Sequence, residues 1–212
     1  MTQMAPAPWH NAPIVAFDLE GSGAQDRDRE AILELAAVPL VDGQPAPDQA
    51  FSTLVNPGRP IPRRPWISPG LTDDRLADAP TMSDLGPTLV ERINGRWLLG
   101  HNVNVDWRLL RHHLPHLEPA GLIDTLPLAR QAIRDGRRSL TDLISHFGLS
   151  ELVNAAAPGS KPHRALWDAV AVGYLLRSLT AELWPDQIPT LDTVRSPVPA
   201  RAARVDEQPG LF

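Results

Sequence analysis

The hydrophobic pattern opens with a run of four, Ile14-Val15-Ala16-Phe17, mostly β-branched or aromatic, leading straight into Asp18-Leu19-Glu20. This reads as a buried strand over 14–20 whose C-terminal end carries acid. Gly21-Ser22-Gly23 ends it and lets backbone approach whatever binds there. Residues 31–41 are rich in Ala, Leu and Glu, which by propensity alone favours helix. Pro39 would break such a helix, and Asp42-Gly43 is a hairpin turn signal. We therefore read 31–41 and 49–55 as two antiparallel strands. Residues 56–80 form a long loop rich in Pro, Arg and Asp, a length that marks a functional or disordered segment. Ser83 opens a helix with Leu85, Leu89, Val90 and Ile93 at helical spacing, and Asn94-Gly95 stops it. A short strand follows at 97–100, a helix from 104 to about 113, a strand at 122–124 and a helix at 126–134. Ser139 caps the next helix, which runs to 147 and ends at Gly148. Residues 150–162 read as a loop, and 164–179 as a strongly apolar helix. This order predicts an α/β fold with a mixed five-stranded sheet flanked by helices. The site of such a sheet lies at the carboxyl ends of its strands, where Asp18 and Glu20 fall.

Composition narrows the classes. The 212 residues are 42% hydrophobic, enough for one ordinary domain with a core. There is no apolar run of membrane-spanning length and no signal peptide at the start, which suits a cytoplasmic protein. The absence of cysteine excludes disulfides and thiolate zinc sites, so any metal must be held by oxygen or histidine. The net charge of −5 speaks against a broad basic surface. It leaves room for a nuclease whose carboxylates are neutralised by its metals. Local basic groups, Arg59, Arg63 and Arg64, Arg108 and Arg111, and Arg137 and Arg138, matter more than the sum. The 23 prolines gather near the start, in the 57–69 loop and after Trp184. The expected organisation is a flexible leader at 1–12, a domain at 13–182 and an extended tail at 183–212.

Three stretches, with five residues between them, carry candidate chemistry. Asp18 and Glu20 share one face of their strand, with Leu19 turned away. Two such carboxylates are tolerable if solvated, if one is protonated, or if a divalent cation sits between them. Asp106 follows Gly100-His101-Asn102, in the first turn of a helix, where an acid also favours the helix dipole. Asp168 lies on the apolar helix among Ala169, Val170, Ala171 and Val172, a costly place unless it is paired or bound to metal. His163, five residues earlier, would stand about 140° away on a continuous helix. It is therefore expected in the preceding loop, swinging over the site.

Taken in order, F-D-L-E, H-N-x-x-x-D and H-x-x-x-x-D resemble the DEDDh 3′–5′ exonucleases. This is the DnaQ-like family with a ribonuclease H-like fold, which includes the proofreading exonuclease subunit of bacterial DNA polymerase III. The resemblance spans 14–179 and includes Leu54-Val55-Asn56-Pro57-Gly58, Gly70-Leu71-Thr72-Asp73, Ile123-Asp124-Thr125-Leu126, and Ser139-Leu140 before Phe147-Gly148-Leu149. It implies that Asp18, Glu20, Asp106 and Asp168 hold two divalent ions, Mg²⁺ or Mn²⁺, with His163 as general base. Oxygen ligands suit such hard cations, two of which about 3.5–4 Å apart serve an in-line displacement, and imidazole titrates near working pH. The implied reaction hydrolyses the 3′-terminal phosphodiester of a nucleic acid, releasing a nucleoside 5′-monophosphate. Leu19, Gly21, Ser22, Gly23, His101 and Asn102 are implied at the terminal nucleotide, and Trp66 is an aromatic that could stack on an unpaired base. The chain departs from the family pattern at Gly21-Ser22-Gly23 in place of threonines, at Ile67-Ser68-Pro69 in place of a segment with histidine, and at Val105 in place of an aromatic. These departures bear on substrate preference. Asp124 reads as structural, inside an apolar strand. His101 and Asn102 read as bracing the helix start rather than touching metal, and His112, His113 and His116 as a solvated cluster.

The tail ends Gln208-Pro209-Gly210-Leu211-Phe212. Gln208, Leu211 and Phe212 resemble the bacterial sliding-clamp-binding pentapeptide, which docks apolar anchors in a groove and gains from tethering. That tail favours DNA as substrate, in proofreading or repair. The alternatives are an RNA 3′ exonuclease like ribonuclease T, and a non-catalytic accessory subunit binding a clamp or polymerase. Five functional groups converging on one spot argue against the last.

Overall fold

The computed structural model describes residues 7–23, 30–62, 64–65, 67–134, 136 and 138–195. β1 (Ile14–Gly21) pairs antiparallel with β2 (Ile32–Val41), and β2 pairs antiparallel with both β3 (Gln44–Pro45) and β4 (Phe51–Leu54). On its other side β1 runs parallel to β5 (Trp97–Gly100), which runs parallel to β6 (Gly121–Asp124). The order is β3-β2-β1-β5-β6, with β4 also on β2. The five expected strands are therefore present. A two-residue sixth, β3, is the return arm of the hairpin turned by Asp42 and Gly43, both at positive φ. Pro39 does not break β2. It faces β1 at Val15, and its carbonyl accepts from the Ala46 N–H at 2.9 Å.

Both faces of β1 are covered. Ile14 and Ala16 join a cluster built around α7 (Ala165–Leu183), with α4 (Thr125–Ala132), α5 (Leu140–His146) and α6 (Ser150–Ala156) packed alongside. Val15 and Phe17 join a cluster with α2 (Met82–Ile93) and α3 (Val103–His113). A smaller cluster of Ala31, Leu33, Leu71 and Leu76 lies beneath α1 (Asp73–Leu76). α7 buries eleven residues, and each large apolar side chain so buried is worth roughly 1.5–3 kcal/mol. That burial holds the whole helix, including the polar position 168, against β1 and β2. Burial along β1 is complete from Ile14 to Phe17 and becomes partial from Asp18, so the sheet opens where the acids begin.

Several expected boundaries move. α2 starts two residues earlier, because Thr81 rather than Ser83 is its cap. Thr81 and Asp84 form a reciprocal capping box, the stronger of two adjacent hydroxyl signals because the acid sits three residues on. Residues 150–156, read as loop, form α6. It buries only Val153 and has no side-chain cap, so it shows little apolar periodicity. Trp167 Nε1 donates to Asn154 Oδ1 at 2.8 Å, a tertiary bond that ties α6 to α7. Residues expected in the leader and tail meet each other. Trp9 is buried, its N–H donates to the Pro189 carbonyl, and Val194 of α8 (Leu191–Arg195) packs into the same cluster. Among the described residues no helix is long and apolar enough to cross a membrane.

Candidate active site

Strand alternation carries the Ile14/Ala16 face on through Asp18 and Glu20, so both acids point toward α7. Ligand oxygens of Asp18, Glu20 and Asp168 lie within 4.8 Å of one another, the one such cluster among the described residues. Asp106, in the first turn of α3, stands outside that triangle. It still acts on it: after burial, its charge is the largest influence raising the Asp18 carboxyl, followed by Asp168, Glu20 and Glu34. Burial and the neighbouring acids hold Asp18 well above the usual carboxylate range. Asp106 is pushed to about 8, mainly by burial and then by Glu20, Asp124, Asp168 and Glu30. Asp168 is pushed to about 7, by burial and Glu20, against a hydrogen bond donated by the His163 main-chain N–H.

The loop after β4 also reaches the site. Ser68 Oγ donates to Glu20 Oε2 at 2.6 Å. This bond and the Arg164 charge lower the Glu20 pKa, while burial, the largest influence, and Glu34 raise it. Arg64 Nη1 donates to the Gly23 carbonyl at 2.7 Å, so the loop is tied to the end of β1 twice. His163 is exposed, between α6 and α7, in the left-handed region at φ 64°. It lies in the loop before α7, as its spacing from Asp168 requires.

The other expected residues are placed unevenly. Leu19 packs into the α2/α3 cluster. β1 shifts register between Glu20 and Gly21, and a side-chain carbon on Gly21 would come within 2.8 Å of Glu30 Oε1. Ser22 is 2% exposed, and its hydroxyl accepts from the Ala31 N–H at 2.9 Å. Its side chain thus ties the end of β1 to the start of β2. His101 is half-buried with both ring nitrogens engaged, Nδ1 with Thr125 Oγ1 at 2.9 Å and Nε2 with the Arg138 carbonyl at 2.8 Å. Burial lowers its pKa. Its side chain is a brace between loops. Asn102 is the left-handed cap of α3, and its N–H donates to Asp124 Oδ1 at 2.8 Å. Asp124 closes β6 and caps α4 through the Leu126 N–H. It therefore stands at a strand end and not inside the strand as expected, and its bonds are structural. His113 Nε2 bonds the Glu30 carbonyl at 2.9 Å, a contact with the site's edge that its solvated reading did not foresee. Trp66, Gln208, Leu211 and Phe212 lie outside the described residues. Ser68, Glu34 and Arg164 also belong to the site and were not among the expected residues. Glu34 was the traceable one, a lone carboxylate on the same alternation as the inward Ala36 and Val38.

An all-oxygen cluster whose carboxyls are raised by burial and by one another suits divalent cations of the Mg²⁺ or Mn²⁺ kind. Residues 15–176 match the family model described as Exonuclease, of the ribonuclease T type. The chain belongs to this exonuclease family. A DNA polymerase III subunit epsilon-like protein of Rhodobacter capsulatus is 29% identical over 171 residues, covering 79% of this chain and 24% of that protein. The DNA polymerase III subunit epsilon of Aquifex aeolicus is 29% identical over 176 residues, covering 81% and 82%. A solved structure described as Exonuclease X in complex with 5′ overhanging duplex DNA is 27% identical, with a TM-score of 0.61, covering 86% of this chain and 99% of that one. This exonuclease spans about a quarter of the R. capsulatus protein and about a tenth of a PolC-type polymerase it also matches. Its domain is that of an exonuclease, on a ribonuclease H-like mixed α/β sheet.

Proposed function

We propose that this exonuclease hydrolyses the 3′-terminal phosphodiester of DNA and releases nucleoside 5′-monophosphates, in cytoplasmic proofreading or repair. The observation that carries the reading is the convergence of Asp18, Glu20 and Asp168 within 4.8 Å, with the Asp106 charge acting on Asp18 and His163 hydrogen-bonded to Asp168 through its backbone. The names of the polymerase III relatives and the DNA bound to Exonuclease X support DNA as the substrate. Asp18, Glu20, Asp106 and Asp168 would hold two divalent ions. Once bound, such ions supply the charge that acidifies a water and steadies a departing 3′ oxygen. The exposed His163 ring takes the proton of the attacking water on a ring nitrogen. The water oxygen bonds phosphorus, the P–O3′ bond breaks, and the 3′ oxygen leaves with the shortened strand, taking a proton from solvent to become its 3′-hydroxyl. Ser68 keeps the Glu20 carboxylate turned in through its 2.6 Å bond.

The test is digestion of matched 5′-labelled single-stranded DNA and RNA, with Mg²⁺, Mn²⁺ or EDTA. The expected result is stepwise 3′ shortening of DNA, abolished in EDTA and slowed about 10²- to 10⁴-fold in His163→Ala, the range for general bases. Faster shortening of RNA would transfer the mechanism to RNA, and intact substrates would refute the activity.

We further propose that Gln208, Leu211 and Phe212 anchor the chain to a sliding clamp. A variant lacking residues 208–212 should lose binding to purified clamp and keep its activity on free oligonucleotides. Unchanged clamp binding would remove the proposal.

A further inference from the structure

Glu34 is almost completely buried, at 6% exposed. It lies on β2 directly opposite Glu20, which places a further carboxylate beside an already crowded acidic site. Arg164 meets it with a two-pronged ion pair, Nε to Oε2 at 2.6 Å and Nη2 to Oε1 at 2.9 Å. The side chains are 16% and 8% exposed. A buried pair of this kind is weak support for stability, because desolvation offsets most of its attraction. Its location is more telling than its energy. Arg164 is the cap residue of α7 and follows His163 directly. Its carbonyl accepts the Asp168 N–H at 3.1 Å. One guanidinium therefore fixes, relative to β2, both the turn that carries Asp168 and the peptide that precedes it. The pair also adds no net charge: Glu34 raises Asp18, Glu20 and Asp168, while Arg164 lowers Glu20.

We infer that Glu34 and Arg164 are positioning residues that lock the first turn of α7 to β2, so that Asp168 and His163 face Asp18 and Glu20 in the geometry the site requires. For His163 this rests on the proposed exonuclease function, and for the acidic cluster it stands on the geometry alone. The planar fork of arginine sets direction as well as distance, and lysine keeps the charge but loses the fork.

The test compares wild type, Arg164→Lys, and the double variant Glu34→Leu with Arg164→Leu. Bound Mn²⁺ is counted by electron paramagnetic resonance, and single-turnover rates are measured on 5′-labelled DNA. Arg164→Lys should weaken Mn²⁺ binding or slow the rate about 10- to 100-fold, as loss of a ligand-orienting partner does, with the half-saturating DNA concentration unchanged. In the double variant, apolar side chains should restore thermal stability without restoring Mn²⁺ binding or rate. Wild-type Mn²⁺ affinity together with wild-type rate in either variant would overturn the inference. A wild type that binds Mn²⁺ but leaves DNA and RNA intact would refute the exonuclease reading instead, and the Mn²⁺ comparison would still decide the role of the pair.

Discussion

Asp18→Ala is expected to reduce 3′ shortening on the order of 10³-fold or more, the scale at which single members of a catalytic constellation act. Asp18 lies within 4.8 Å of Glu20 and Asp168, and its carboxyl is raised by burial and by Asp106, Asp168 and Glu20. Its loss therefore removes a group shared by the whole cluster. The fold should not suffer. The carboxylate sits at the point where β1 opens from complete to partial burial, and removing it relieves repulsion. In EDTA at pH 8 the variant should melt no lower than wild type, and a gain of ~1 kcal/mol would show as about 2–4 °C in a chain of this size. Parallel melting curves and labelled-oligonucleotide assays check both halves. Near-wild-type activity would show that the cluster is not the reactive centre. A large drop in melting temperature would show that Asp18 is structural.

In EDTA the melting temperature of wild type should fall as pH rises from about 4 through about 8. The folded-state values of Asp106 and Asp168 are pushed to about 8 and about 7, and Asp18 and Glu20 are raised as well. In the unfolded chain these acids lose their protons near pH 4. Between the two limits the folded state binds more protons, so stability decreases with pH. The contribution is fully present below the unfolded values and is lost as pH passes the folded ones. Divalent cations compete with those protons, so Mn²⁺ should raise the melting temperature more at pH 8 than at pH 5.5. Asp106→Asn should flatten the EDTA profile. Calorimetry across pH 4–9, with and without Mn²⁺, measures all three. An EDTA profile that rises toward pH 8, or a stabilisation by Mn²⁺ that is larger at pH 5.5, would contradict the raised carboxyls.

Local chemistry along the chain was sufficient to read much of this molecule. The apolar run ending in Asp18-Leu19-Glu20 marked β1 and its open end, because strand alternation needs no partner to fix which acids share a face. Pro39 and Asp42-Gly43 outweighed the helical propensity of 31–41, since a backbone that lacks a donor and a tight turn are local constraints. The loop position of His163 followed from helical geometry and its spacing from Asp168. The short α6, the burial of Trp9 against the 189–194 segment and the engaged ring of His101 were not legible. Each depends on a contact with a residue far along the chain: Asn154 with Trp167, Trp9 with Pro189, His101 with Arg138.

Residue type and period are properties of neighbours, so which residues could bear the chemistry, in what order and on which kind of element was legible along the chain. Packing brings Asp18, Glu20 and Asp168 into one space, with Asp106 acting from its edge. It likewise decides that Ser68 holds Glu20, and that Glu34 is answered by Arg164 from 130 residues away. The shifts that follow arise from burial and from charges packed side by side, and those are fixed when α7 closes over the sheet.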